Sequence, residues 1–381
     1  MPESAGQNIN HRIGGNTLLA DGFASAQLEI SNGVISSLQT IHVATDHTII
    51  PGLIDIQVNG GWGHDFSTDP ETIWRVGERL PETGVTSFVP TIVTSPSEVY
   101  EEAADVFMAG PPEGYTGAEV IGLHFEGPWI SPDWKGAHNA AHLRLPDTDV
   151  AERWVASGAV AIVTIAPELE GAHEVAQLLA DAGIVVSAGH TGADYETGSK
   201  ALAGPWRGVT HLFNQMSPFH HREPGMVGAA LSSDAPCGII VDGLHSDRGA
   251  LQLAWNELGP HRTVLTTDAM QATGLEPGSY RLGDLEVSVG ADGPRTLEGR
   301  LAGSTLTMDR AVSNLTAWTS ATSAEATVSA TASPARLLGL DDRGRIEVGL
   351  RADLVTIDQK NHVLRTLVGG EIAYESSASE R

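Results

Sequence analysis

The middle of the chain alternates between short continuous apolar runs and longer stretches with helical spacing of apolar positions. The apolar runs fall at 54–58, 86–90, 120–124, 160–165, 184–188, 208–212, 237–241 and 263–267. Helix-like stretches lie between most of them, at 71–80, 98–108, 172–182, 195–202 and 248–258. Apolar strands without alternation, separated by helices, predict a parallel sheet covered on both faces. Eight of them predict an α/β protein with a closed (β/α)₈ TIM barrel. A doubly wound open sheet is the competing architecture, but no glycine-rich dinucleotide fingerprint follows the first strand.

The two ends of the chain read differently. Residues 17–20, 26–30 and 34–40 are strand-like, with Asn32-Gly33 as a hairpin turn. Residues 353–357 and 362–368 are also strand-like, with Gly369-Gly370 as a turn. We therefore expect a small β-sandwich built from both termini, 1–50 with 345–381, around a barrel spanning 51–344.

Composition narrows the setting. A chain of 381 residues, 41% hydrophobic, is long enough for a barrel of ~250 residues with a smaller appendage. Cys237 is the single cysteine, so no internal disulfide can form and a reducing compartment is expected. No apolar segment follows the polar start, and no run approaches the ~18 apolar residues of a membrane span. The expectation is a cytoplasmic protein with no membrane partner. A formal charge of −26 argues against nucleic acid and anionic membranes as partners. It also means that an anionic substrate needs a locally cationic pocket.

In such barrels the chemistry sits at the C-terminal strand ends. Gln57 and Asn59 follow the first strand, and His124 and Glu126 the third. His190 ends the fifth and His211 the sixth. The seventh runs into Asp242 and His245, and the eighth ends in Asp268. A lone histidine at a strand end is more often a hydrogen-bonded structural residue, so the recurrence at six strand ends is what carries weight. Glu126, His190 and His211 form a credible metal set. Two imidazoles and a carboxylate with an open fourth position suit catalytic zinc, and the same donors suit iron, manganese or cobalt. Asp268 has three readings: a further ligand, a structural cap, or a general base. Facing an activated water across the barrel mouth favours the base.

At these residues the chain resembles the N-acetylglucosamine-6-phosphate deacetylases of the amidohydrolase superfamily. The motifs PGLIDIQVNGG, GLHFEGPWISPDWKGAHN, AGHT, THLFNQM, REPG, CGIIVDGLH, LTTDAM and LAGSTLTM occur in the family's order over nearly the whole length. The resemblance implies removal of an acetyl group from a sugar phosphate, with Glu126, His190 and His211 binding one divalent metal per subunit. It implies Asp268 as base and then acid, and His138 beside the acetyl carbonyl. Ala137, Asn214, the backbone of Gln215, Arg222 and His245 would contact substrate, and Leu301, Ala302 and Gly303 would close over it. It further implies a homodimer in which Arg222 serves the neighbouring subunit's pocket.

Two departures matter. Many amidohydrolases carry His-x-His after the first strand, where this chain has Gln57 and Asn59. Amides are poor ligands beside imidazole, so these are read as vestigial second-metal positions and one metal is expected. Gln215 stands where smaller residues are usual, which alters the pocket rim. The alternatives are a deacetylase for the galactosamine isomer, another amidohydrolase such as a cyclic-amide hydrolase, or a barrel scaffold without catalysis. A cyclic-amide hydrolase would carry His-x-His and a lysine on the fourth strand, and 160–169 contains none. Arg222 also has a plain surface reading, paired with Glu223 or Asp247.

Overall fold

The computed structural model describes residues 11–41 and 46–377. Eight strands run in sequence order and pair in parallel: Leu53–Val58, Val85–Val93, Leu123–Glu126, Val160–Ile165, Val185–Ala188, Trp206–Val209, Cys237–Ile239 and Thr263–Leu265. The ring closes between its last and first members. The Asp268 N–H donates to the Gln57 carbonyl at 2.9 Å, and the Asn59 N–H to the Ala269 carbonyl at 2.8 Å. This is the expected (β/α)₈ barrel. Every residue of its second strand is buried, as strands covered on both faces must be. Ile54, Ile56, Val89, Ile162, Val185 and Val264 fill one end of the interior.

Helices cover the outside, among them five that the apolar pattern did not predict: Thr148–Ser157, Gly225–Leu231, Met308–Trp318, Ser323–Ser329 and Ala332–Leu338. Thr148–Ser157 is short, and its boundaries are set by caps: Asp147 accepts the Val150 N–H at 3.0 Å, and Gly158 ends the helix at φ 68°. Gly225–Leu231 is buried over most of its length, so it shows no amphipathic period. Among the described residues, no helix is long and apolar enough to cross a membrane.

The chain ends build one seven-stranded sheet. Thr48–Pro51 lies between His11–Leu19 and Leu354–Ile357, so N-terminal and C-terminal strands share one ladder. The outer strand Val34–Thr40 curls back, where the Ile35 N–H donates to the Leu350 carbonyl at 2.9 Å. Leu28, Ile30, Ile35, Ile49, Leu354 and Leu367 form the core between its faces. Arg351 and Arg343 clasp this unit to the foot of the barrel, Arg351 through Glu119 at 2.9 Å and Arg343 facing Asp353 at 3.9 Å. Arg343 is the inner of the two. It is almost fully buried and pairs with Glu119 at 3.0 Å, with Asp342 at 2.9 Å and with the Ser87 hydroxyl at 2.9 Å.

A further three-stranded antiparallel sheet, Gly278–Leu282, Leu285–Gly290 and Gly293–Thr296, follows the eighth barrel strand. Leu282 and Val287 seat it on Val93, Ala137, Met270 and Ala302 at the barrel mouth.

Candidate active site

The polar strand ends converge on a cavity of about 270 Å³ at the C-terminal mouth of the barrel. Glu126 is the final residue of the third strand, while His190, His211 and Asp268 stand just beyond the ends of theirs. These last three turn sharply out of the sheet. His190, His211 and Asp268 adopt left-handed φ values of 49°, 30° and 51°, and Gln215 follows at 50°. Non-glycine residues held there are strained, and such strain clusters where a fixed side-chain aim is needed.

Three donor atoms form a tight triangle. Glu126 Oε1 lies 3.3 Å from His190 Nε2 and 3.0 Å from His211 Nε2, and the two Nε2 atoms are 3.1 Å apart. Ligands on a tetrahedral zinc with bonds of ~2.05 Å are separated by about 3.3 Å. His190 Nδ1–H donates to the Trp134 carbonyl at 2.9 Å, which leaves its Nε2 lone pair facing the triangle. Glu126, His138 and His190 form a second, overlapping group, with donor atoms within 4.8 Å of one another. His138 fits that role less well. Its Nδ1 accepts from the Thr94 N–H at 3.2 Å, so the neutral ring carries its proton on Nε2, which lies 3.9 Å from Glu126 Oε2. His138 is thereby a donor aimed into the site. The residues present fit one divalent cation held by Glu126, His190 and His211.

Electrostatics sharpen the roles. Burial works against charge on Glu126, but the neighbouring His190 and His211 imidazoles outweigh it and hold the carboxyl well below its usual range. Burial pushes the His138 ring down to about 3, with His190 adding to the effect, so His138 is neutral. Burial, then the nearby Glu126 charge, raises Asp268 to about 6. That value places a carboxylate near the pH at which it both takes and gives a proton.

Gln57 and Asn59 occupy this centre as hydrogen-bond donors. Asn59 Nδ2 donates to Asp268 Oδ1 at 2.7 Å, and Gln57 Nε2 donates to Asp268 Oδ1 at 3.3 Å and to Glu126 Oε1 at 3.0 Å. Both amides thus load one oxygen of Asp268.

The pocket wall holds Ala137, Asn214, Gln215, His245, Leu301 and Gly303. His245 Nδ1 donates to Asp242 at 2.7 Å, which orients the ring. The Gln215 carbonyl accepts the Thr191 N–H at 3.0 Å, and its side chain crosses the rim so closely that a Cβ on Gly136 would meet its Cγ at 2.8 Å. Ala302 lies behind this wall, fully buried beside Met270. Arg222 stands apart. It is exposed, lies outside the pocket wall, and its guanidinium is 2.8 Å from His221 rather than on Glu223 or Asp247. The wall also holds two residues that strand-end reasoning missed, Arg295 and Arg300. They come from the accessory sheet and the turn after it, which no apolar period marks in the sequence.

Residues 48–373 match the amidohydrolase family. The human N-acetylglucosamine-6-phosphate deacetylase is 40% identical over 358 residues, covering 87% of this chain and 85% of the human one. An Escherichia coli O157:H7 N-acetylgalactosamine-6-phosphate deacetylase is 36% identical over 358 residues, covering 91% and 94%. The fold is similar to that of a Mycobacterium smegmatis N-acetyl-D-glucosamine-6-phosphate deacetylase mutant in complex with N-acetyl-D-glucosamine-6-phosphate. That match has a TM-score of 0.87 at 32% identity, over 96% of this chain and 99% of that one. By this match over most of its length and its likeness in sequence and fold, the chain belongs to the amidohydrolase family, among the N-acetylglucosamine-6-phosphate deacetylases.

Proposed function

We propose that this protein hydrolyses N-acetyl-D-glucosamine 6-phosphate to D-glucosamine 6-phosphate and acetate. The observation that carries the reading is the donor triangle of Glu126, His190 and His211, with Asp268 and the His138 donor facing the same cavity. A divalent cation held by the triangle, zinc by preference and iron, manganese or cobalt by donor type, supplies Lewis-acid activation of water and of the amide carbonyl. Asp268 accepts the proton of the attacking water. His138 Nε2–H donates to the oxygen on which charge develops. Asp268 then hands its proton to the departing nitrogen, and the amine leaves. The amides of Gln57 and Asn59 engage Oδ1 of Asp268, which directs the proton to Oδ2. Asn214, Gln215 and His245 hold the sugar, and Leu301 and Gly303 close over it, with Ala302 packed behind them.

The assembly belongs to the proposal. The position of Arg222 outside its own pocket supports delivery to a partner subunit in a homodimer. The buried thiol of Cys237, kept reduced, suits a cytoplasmic enzyme. The core of Leu28, Ile30, Ile35, Ile49, Leu354 and Leu367 supports a two-domain division, 1–50 with 345–381 around 51–344, of which 1–10, 42–45 and 378–381 lie outside the described residues.

The likeness to an N-acetylgalactosamine-6-phosphate deacetylase favours one second reading, deacetylation of the galactosamine isomer. Assays of purified protein on both isomers, with elemental analysis of the same sample, test the proposal. One metal per chain and the higher kcat/KM on the glucosamine isomer are expected. Two metals per chain, or activity on neither sugar phosphate, overturns it.

A further inference from the structure

The anionic substrate named above must enter a chain whose formal charge is −26. Within one chain, the wall of the catalytic cavity carries two fixed positive charges, Arg295 and Arg300, and both come from the accessory sheet and the turn that follows it. Neither is consumed by a strong ion pair. Arg295 Nη1 donates to the Gly299 carbonyl at 2.8 Å. Arg300 Nη1 donates to the Gly136 carbonyl at 3.3 Å, and its Nε stands 3.4 Å from Glu298, with the Arg300 side chain 44% and the Glu298 side chain 70% exposed. Carbonyl partners leave the charge available, and a solvated pair at that distance screens little of it.

Their placement is fixed from below. The accessory sheet is seated on the barrel mouth through Leu282 and Val287, so the arginines are presented by a packed platform. Arg300 reaches across to Gly136, the residue against which Gln215 packs. It therefore stands at the rim on the side of Asn214 and Gln215, away from the triangle at the cavity floor.

We infer that Arg300, with Arg295 behind it, is a specificity-determining residue that recognises the substrate phosphate from within the same chain. A planar guanidinium engages two phosphate oxygens at once, which a neutral sugar hydroxyl cannot match. The pocket then reads phosphate through its own accessory sheet as well as through any arginine delivered by a partner. This rests on the sugar-phosphate reading of the site.

The test uses full-length, metal-loaded protein carrying Arg300→Met, Arg295→Met or both. Two quantities are read: the ratio of kcat/KM on N-acetylglucosamine 6-phosphate to that on N-acetylglucosamine, and the Kd for inorganic phosphate by calorimetry. Arg300→Met is expected to lower the ratio and weaken phosphate binding, each about tenfold, the double variant further, and Arg300→Lys to recover part of the loss. Equal losses on both sugars, with phosphate binding intact, would mean that Arg300 only latches the turn to Gly136, and overturn the inference. A parent protein with no preference for the phosphorylated sugar overturns the functional reading and this inference together. A preference that survives in the double variant overturns the inference alone.

Discussion

The two ends of the barrel hold buried charge in opposite ways. At the foot, Arg343 and Arg351 meet Glu119, Asp342 and Asp353, so each buried charge has an opposite partner. At the mouth, Glu126 and Asp268 are buried among imidazoles and amides, and His211 Nδ1 and Asn59 Oδ1 have no protein partner. The foot is electrostatically complete without help. The mouth is incomplete: Glu126 Oε1 and the Nε2 atoms of His190 and His211 stand 3.0–3.3 Å apart, a concentration of lone pairs that suits a cation. The difference separates a clasp, which serves stability, from a centre that stores unfavourable electrostatics for chemistry.

Substitutions at each end should therefore damage different properties. Asp268→Asn should retain its metal by elemental analysis while activity falls roughly 10²- to 10⁴-fold, the usual scale for losing a general acid–base group. Loss of the metal with the activity would make Asp268 a ligand and remove the contrast between triangle and base. At the foot, Arg343→Met leaves Glu119 and Asp353 with Arg351 alone and removes the partner of the Ser87 hydroxyl, and urea unfolding should show about 1–3 kcal/mol less stability. Its kcat should stay close to that of the parent, and a collapse of kcat at unchanged metal content would couple the two ends.

The mouth should also oppose folding when no metal is bound. Burial raises Asp268 from 3.8 to about 6, so its ionised form is disfavoured in the fold. Between those values the unfolded chain gives up its proton first, and stability falls as pH rises; above pH ~6 the cost is complete. Two pK units correspond to roughly 3 kcal/mol at most. In metal-free protein at pH 8, Asp268→Asn should thus melt roughly 3–6 °C above the parent, and the gain should vanish near pH 4. A gain that is constant with pH would locate the effect in packing.

The smallest effect sharpens the role of Arg222. Mixing Arg222→Met with Asp268→Asn under subunit exchange yields mixed dimers in which one site has its own Asp268 and the partner's intact arginine. Random pairing should restore roughly a quarter of parent activity. No recovery, with exchange verified, would place Arg222 within its own chain.

Much of the barrel was legible because parallel strands are apolar on both faces. Residues 160–165 are predicted and found with the same bounds. The sixth strand is predicted at 208–212 but lies at Trp206–Val209, because the exposed Arg207 interrupts the apolar run and the chain leaves the sheet before the left-handed His211. The donor residues were legible as polar groups placed where apolar runs stop. The accessory sheet was not: its Gly278–Leu282 strand is largely exposed, so no periodic burial marks it. Nor does sequence determine which nitrogen of His138 carries the proton, since that depends on Thr94, forty-four residues away.

The closure of the barrel has a consequence for biosynthesis. The seam runs through Gln57 and Asp268, so the residues that knit the ring are those that complete the reaction centre. Glu126, His190 and His211 all leave the ribosome before Asp268, and Thr48–Pro51 waits for Leu354–Ile357 before its ladder is complete. Contacts of such sequence separation form late and set the pace of folding. A growing chain thus holds Glu126, His190 and His211 before the seam through Gln57 and Asp268 can close the ring around them.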